Sequence, residues 1–509
     1  NQGYIEAILI QRGKPGSALE HLRKLYRYNG ITFEDTQALP DKRHTRIAIG
    51  DYDNDGRLDI LGNGTALYRN EGDFSFADVS ESCGVSTSNA TGGLWADFNK
   101  DGFLDIITIS HDASGDGEKL LKNQDGTRFI KVNEKAGEID NGFPTEGAAL
   151  IDIDNLGFPS LYLANYESWQ RRSGYPDNFF HNSQGYFSDQ SQIRAFLLPS
   201  YTDNPGLAGR GVAPADFDND GHQEILVTNY RLDRNLLYKQ AENIFVDVAA
   251  LYGLTGTWKN GYYGHSIGAD WGDFDNDGDL DLFIANLAHP RYIEISDISQ
   301  LWRNDGLAFH TIGADTLYYW QFTDITAASG ITYDELHSDP LWFDADNDGY
   351  LDLFITSVYE NDRSYLYRNR GDGTFEDITY LSGARIYNGW GNATGDLNRD
   401  GLLDLVVGSG NGTKVLKNTT RTKNQSITLK PIHKGDNIDI LSVCDCMPPH
   451  PNSPALGTRI KLTVKRPWHK PKTLIRELSG GKGTTSQSAP ELHFGLGKAK
   501  LINYERWQP

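Results

Sequence analysis

A seven-fold repeated Asp-rich phrase, short β-branched strands between its copies, and a displaced strand phrase near the N-terminus predict an all-β protein. The expected architecture is a seven-bladed β-propeller with calcium-binding loops, followed by a small C-terminal β-sandwich-like domain. The copies begin at Asp51, Asp97, Asp152, Asp216, Asp273, Asp344 and Asp396, from DYDNDGRLDI in the first to DLNRDGLLDL in the last. Each joins an apolar strand, an Asp/Asn-rich loop with Gly at its sixth position, and a second apolar strand.

A second phrase returns between copies, as LYRNEGDFSFADVS after the first loop and LYRNRGDGTFEDIT after the sixth. Each interval therefore holds about four short strands, the content of one blade. The apolar runs are too short, and too broken by Gly, Asn and Asp, for a helical solenoid. The seventh copy lacks its closing strand, whereas ITFEDT at Ile31 to Thr36 carries that phrase at the other end. The N-terminal strand is expected to complete the last blade. This divides the chain into an extension at 1–28, a propeller at 29–420 and a β-domain at 421–509.

Composition sets the outer bounds. The chain has 509 residues, 38% of them hydrophobic, with 54 Gly, a globular and turn-rich balance. A net charge of −21 argues against nucleic acid as a partner, because phosphate contacts need a basic face. No apolar run approaches the roughly 20 residues of a membrane helix. The chain opens on Asn1 with no charged-then-apolar leader, as a processed exported chain would. The expected location is extracellular or secreted, or periplasmic. Cys83, Cys444 and Cys446 do not make a disulfide framework.

The repeated loop explains the acidity. Side chains at positions 1, 3, 5 and 9 can converge when Gly at position 6 permits a sharp turn. Calcium takes six to eight hard oxygen ligands, and acids this close would repel strongly without it. The candidate ligands are Asp51, Asp53, Asp55 and Asp59 in the first loop, and Asp97, Asn99, Asp101 and Asp105 in the second. The fourth offers Asp216, Asp218, Asp220 and Glu224, and the fifth Asp273, Asp275, Asp277 and Asp281. The sixth offers Asp344, Asp346, Asp348 and Asp352, and the seventh Asp396, Asn398, Asp400 and Asp404. The third keeps Asp152 and Asp154 but places Leu156 and Ser160 at positions 5 and 9, so six Ca2+ sites are expected and one empty loop. An EF-hand is rejected, since Gly62 and Ile284 stand where it needs a Glu, and strands flank the loops.

From about Ile31 to Asn418 these in-register loops resemble the FG-GAP/VCBS repeats of integrin α-chain propellers. From about Asn424 the chain is similar to the ASPIC/UnbV domain of the cartilage acidic protein family, through Leu456-Gly457-Thr458-Arg459-Ile460, Ser486-Gln487 and His493-Phe494-Gly495-Leu496-Gly497. The closing INYERWQP splits that family's usual WP pair with Gln508, and the stretch between Asp445 and Pro454 departs from it. The resemblance implies an extracellular calcium-binding interaction protein and carries over no catalytic residues. The tail is locally basic, with Lys461, Lys465, Arg466, Lys470 and Lys472, a run read chiefly as a solvated face.

Ligand contacts in a propeller are expected at the axis. His44, Arg46, Glu146, Arg210, His265, His337 and Trp390 lie on the strands entering the loops, and His111, Tyr166, Tyr230, Arg231, His289, Arg291 and Tyr359 lie after the second strands. Of these, His111, Tyr166, Tyr230, Arg231, His265, His289 and His337 are the candidate ligand-binding set. An Arg beside Tyr and His could bind an acidic sugar, or support elimination across one. The strand-prone run Tyr4 to Gln11 could instead add to a neighbouring copy and build an oligomer or filament. Six Asn-X-Ser/Thr sequons, at Asn63, Asn89, Asn392, Asn411, Asn418 and Asn424, are candidate glycosylation sites of a glycoprotein.

The preferred function is an extracellular adhesion, matrix or self-assembling scaffold, partnered by a protein or glycan at the cell surface or matrix, with no membrane span. The alternative is a carbohydrate-active lyase or dehydratase working at the axis. No catalytic residue is assigned.

Overall fold

The computed structural model describes residues 30–506, apart from 40, 87–88, 112–116, 169–172, 197–205, 288–293, 313–314, 332–335, 435–436, 443–452 and 466–469. The extension at 1–28 with its Tyr4 to Gln11 run, the ligand candidate His289, and Cys444 and Cys446 lie outside the described residues. No described helix is long and apolar enough to cross a membrane.

Seven four-stranded antiparallel sheets follow one another along the chain. Each begins with a strand that enters an Asp-rich loop and a second strand that leaves it. The first sheet comprises Ile47–Gly50, Asp59–Gly62, Ala66–Asn70 and Phe76–Asp78. The second to sixth sheets open with Gly92–Ala96, Thr145–Ile151, Ala208–Ala215, Ser266–Gly272 and His337–Phe343. The seventh runs Gly389–Gly395, Asp404–Ser409 and Lys414–Asn418, and its fourth strand is Phe33–Asp35, with Phe33 opposite Asn418. The N-terminal phrase thus sits where the sequence placed it.

The opening strands are buried along nearly their whole length, because each lies between two neighbours. Each packs beside the opening strand of the next sheet, and that of the seventh packs beside that of the first. Apolar residues of adjacent sheets fill the spaces between them, as where Ile49 and Tyr68 of the first sheet meet Val406 and Val415 of the seventh.

An asparagine in each of six third strands ties one sheet to the one before it. Asn70 Nδ2 donates to Leu58 O of its own loop and to Leu397 O of the seventh loop, at 3.0 and 2.9 Å. Asn123 does the same to Leu104 O and Tyr52 O, and Asn182 to Pro159 O and Phe98 O. Asn304, Asn369 and Asn418 repeat it onto Phe217, Phe274 and Ala345. The fourth sheet has Gln240 at this place and lacks the link.

The C-terminal part is built of two three-stranded sheets. One orders Asn437–Ser442, Gln425–Lys434 and Leu492–Gly497, the other Lys472–Glu477, Arg459–Lys465 and Lys500–Arg506. Ile460, Leu462, Leu474 and Phe494 from both share one core with Leu94, Phe98 and Leu163 of the second and third sheets. The segment from Gly480 to Ala489 leaves this core and runs between the opening strands of all seven sheets. Its backbone meets Leu150, Val212, Ala269, Ile47, Ile49 and Thr394. Gln487 brackets Trp95 through both Trp95 N and Trp95 O, and Lys482 Nζ donates to Pro340 O at 2.8 Å. Small residues are required here: a Cβ at Gly480 would stand 2.0 Å from Leu150 O.

Candidate metal loops and the axial cluster

Each loop is shaped by its own carboxylates. The position-1 acid accepts the N–H groups of positions 5 and 6, as Asp51 does from Asp55 and Gly56 at 3.0 Å each. Asp97, Asp216, Asp344 and Asp396 repeat this pair of bonds. Gly at position 6 has φ near +89° in the first loop, which only Gly adopts freely. The position-9 acid opens the second strand, and Asp59 Oδ1 accepts Asn70 N at 2.8 Å. The residue that closes the acidic loop is therefore bonded to the residue that ties the sheet to its neighbour.

In four loops three carboxylates converge with ligand oxygens within 4.8 Å of one another: Asp51/Asp53/Asp59, Asp216/Asp218/Glu224, Asp273/Asp275/Asp281 and Asp344/Asp346/Asp348. In the second and seventh loops Asn99 and Asn398 provide an amide at position 3. The buried oxygens Asp105 Oδ2, Asp346 Oδ1 and Glu224 Oε2 have no hydrogen-bond partner among the described residues. Burial pushes Asp51 and Asp97 up to about 6, Asp216, Asp273 and Asp396 to about 7, and Asp344 to about 8. Asp59, Asp105, Glu224, Asp281, Asp352 and Asp404 are likewise held well above the usual carboxylate range by burial. Converging, half-dry carboxylates with free lone pairs suit a hard divalent cation, and these residues fit calcium.

Two loops differ. In the third, Ser160 Oγ accepts Asn182 N in place of a carboxylate, and His181 Nε2 lies 2.6 Å from Asp154 Oδ2. In the fourth, the Lys239 ammonium stands among Asp218, Asp220 and Glu224.

The C-terminal part sits on this loop end of the sheets. Arg459 bonds Asp216 O, Asn219 and Glu477, while His493 Nε2 lies 2.7 Å from Asn347 Oδ1. Arg399 pairs with Glu491 at 2.7 Å, and buried Arg476 is drawn toward Asp344 and Asp273. The docking cations are thus Arg459 and Arg476, joined by Lys472 from the run that starts at Lys461. In that run Lys465 and Lys470 are exposed, and Lys472 stacks over Tyr350.

The axial candidates separate into two groups. Glu146 gathers Arg46, Arg210 (3.3 Å) and His111 (2.8 Å), and the two guanidiniums hold its carboxyl well below the usual range despite burial. The Arg210 guanidinium lies 5.0 Å from the Tyr166 ring and 5.5 Å from the Tyr230 ring. His265 stacks on Tyr230 at 4.6 Å, and Arg231 lies over the same ring while pairing with Glu167. His111, Tyr166, Tyr230, Arg231 and His265 are therefore brought together. His337 is not: it is fully buried between Phe283 and Tyr365, 2.8 Å from Ser299 Oγ, which corrects its placement in the ligand set. His44 is likewise occupied within its sheet, bonded to Tyr68.

The sequons separate as well. Asn89 and Asn411 are exposed, and Asn63 and Asn424 are half-buried, with Asn424 donating to Asp346 O. Asn392 and Asn418 are buried, and their amides donate to Asp339 O and to Ala345 O and Leu403 O. A glycan on either would break these bonds, so both are corrected as acceptors.

Two FG-GAP-like repeat matches fall at 216–284 and 344–407, an FG-GAP repeat match at 388–428, and an ASPIC and UnbV match at 448–504. The chain carries FG-GAP and ASPIC/UnbV domain matches and is similar to cartilage acidic protein over most of its length. Cartilage acidic protein 1 of Xenopus tropicalis is 23% identical, covering 93% of this chain and 71% of the relative. The Homo sapiens protein is 22% identical, covering 94% and 70%. Among solved structures, an Agrocybe aegerita lectin described as recognising non-reducing terminal N-acetylglucosamine covers 82% of this chain and 94% of its own, at 16% identity and a TM-score of 0.40. Saccharomyces cerevisiae Sqt1 covers 77% and 98%, at 12% identity and 0.39.

Sequence reading found the loops and missed what joins them. The signal for the inter-sheet asparagines was present in the recurring LYRN phrase. The signal for the axial segment was Gly480, Gly481 and Gly483 among small polar residues.

Proposed function

We propose that the seven sheets are the blades of a closed propeller, held by calcium in six loops, which serves outside the cell as a binding scaffold. The supporting observation is the bond between Asp59 and Asn70 and its equivalents, since one carboxylate faces the loop interior and also orients the asparagine that crosses to the next sheet. An ion drawn to that carboxylate tightens the loop and the inter-sheet contact together. Extracellular calcium modules bind at roughly 10⁻⁴ to 10⁻³ M, within reach of extracellular calcium. Adhesion or matrix assembly suits such a module, with a protein or glycan as partner.

Thermal unfolding tests the reading. Calcium at several millimolar is expected to raise the melting temperature, and chelator to lower it, whereas magnesium should substitute poorly because it resists dehydration. Equal melting with calcium and with chelator would refute it. The alternative, a carbohydrate-active lyase or dehydratase, draws on Tyr166 and Tyr230 beside Arg210. Its test is turnover of a uronate-containing saccharide, lost in Tyr230→Phe.

A further inference from the structure

The geometry points to a binding site for a small hydroxylated carboxylate, of the kind a terminal uronic acid presents, at the cluster formed by Arg210, Tyr166 and Tyr230. The inference rests on the proposed closed ring and adds the ligand class that its mouth would take. Arg46 Nε donates to Thr484 O at 3.1 Å, and Thr485 Oγ1 donates to Glu146 O at 3.2 Å, so the inserted segment braces the cluster from one side.

Arg46, Arg210 and Arg231 face Glu146 and Glu167. Arg46 is fully engaged, by Glu146, Thr484 O and Thr45. Arg210 is not: its Nε is buried without a hydrogen-bond partner among the described residues. A buried guanidinium edge left unpaired is costly, and a carboxylate accepting from it would recover that cost.

The two rings extend the match. Tyr166 and Tyr230 flank the guanidinium and polarise toward it, fixing its plane. Two aromatic faces with hydroxyls on their rings suit a ring bearing hydroxyls, with apolar faces to stack and oxygens to bond. The two tyrosine rings favour a carboxylate carried on a sugar ring over a bare phosphate, which has no face to stack.

Calorimetric titration of the calcium-loaded full chain with sodium glucuronate, glucose and inorganic phosphate tests this. Glucuronate is expected to bind at least about tenfold more tightly than glucose or phosphate, the difference made by one charge-assisted contact. Arg210→Lys keeps the charge but loses the fork and the stack, and should cost tenfold or more. Tyr230→Phe removes only a hydroxyl and should weaken binding several-fold with melting unchanged. The site is overturned if the folded, calcium-stabilised chain shows no glucuronate binding, prefers phosphate, or binds equally after both substitutions. Failure of the scaffold reading would show instead as melting that ignores calcium.

Discussion

Lys482 Nζ stands 3.2 Å from Asp339 Oδ2, both side chains almost wholly buried, and so fastens the C-terminal segment to the sixth sheet across 143 residues of chain. The same ammonium donates to Asn392 Oδ1 of the seventh sheet. One lysine therefore joins the inserted segment to two sheets. Lys482→Met leaves Asp339 buried beside a second buried acid, Asp270, without its cation. Breaking a buried pair from one side is expected to cost about 3–5 kcal/mol. Adding Asp339→Asn should recover part of that loss. Chemical denaturation in calcium measures both, and a loss below about 1 kcal/mol would place the anchoring elsewhere.

The inter-sheet asparagines carry a second prediction. Asn70→Ala would leave Leu58 O and Leu397 O without their donor. A destabilisation of about 2–3 kcal/mol is expected from two unsatisfied buried carbonyls. Exposed Asn89→Ala is the control and should change nothing measurable.

Acidity should act oppositely on the calcium-free and calcium-loaded protein. Without calcium, burial raises Asp51 from 3.8 to about 6 and Asp344 from 3.8 to about 8. The folded chain then holds protons more tightly than the unfolded one. That contribution is complete below the unfolded value and is lost as pH rises through about 6 to 8. Chelated protein is expected to melt higher near about pH 5 than near about pH 8. With calcium bound, protons compete for the same oxygens and the order reverses. A chelated melting temperature that rises across this window would contradict the assignment of these groups.

Glycan mapping in a glycosylating host tests the sequon assignment. Asn89 and Asn411 are expected to carry glycan, and Asn392 and Asn418 to be bare in the folded, secreted chain. Occupancy at Asn392 would require Asp339 O to lose its donor.

How much was legible in the sequence follows from distance along the chain. The acidic loops were readable because their carboxylates fall within nine consecutive residues and repeat, so Asp51 to Asp59 reveals its geometry unaided. The final strand of the seventh sheet was readable because its phrase was missing at one end and present at the other. The role of Asn70 was not, since its second acceptor lies 327 residues away. Lys482 gave no local sign of its partner in the sixth sheet. The burial of His337 was not legible because a His near a strand start either meets the Tyr230 cluster, as His265 does, or packs between sheets, and the strand pattern does not distinguish them. Asn392 and Asn418 fit the sequon by spacing alone, and spacing carries no burial.

Native mass spectrometry of the folded chain, before and after chelation, bears most directly on the central claim that calcium in the loops holds the sheets together. Six calcium increments are predicted, one of them lost in Asp281→Asn, with chelation removing all six and lowering the melting temperature in step. A folded chain that carries no calcium increments, or keeps its melting temperature after losing them, would contradict it.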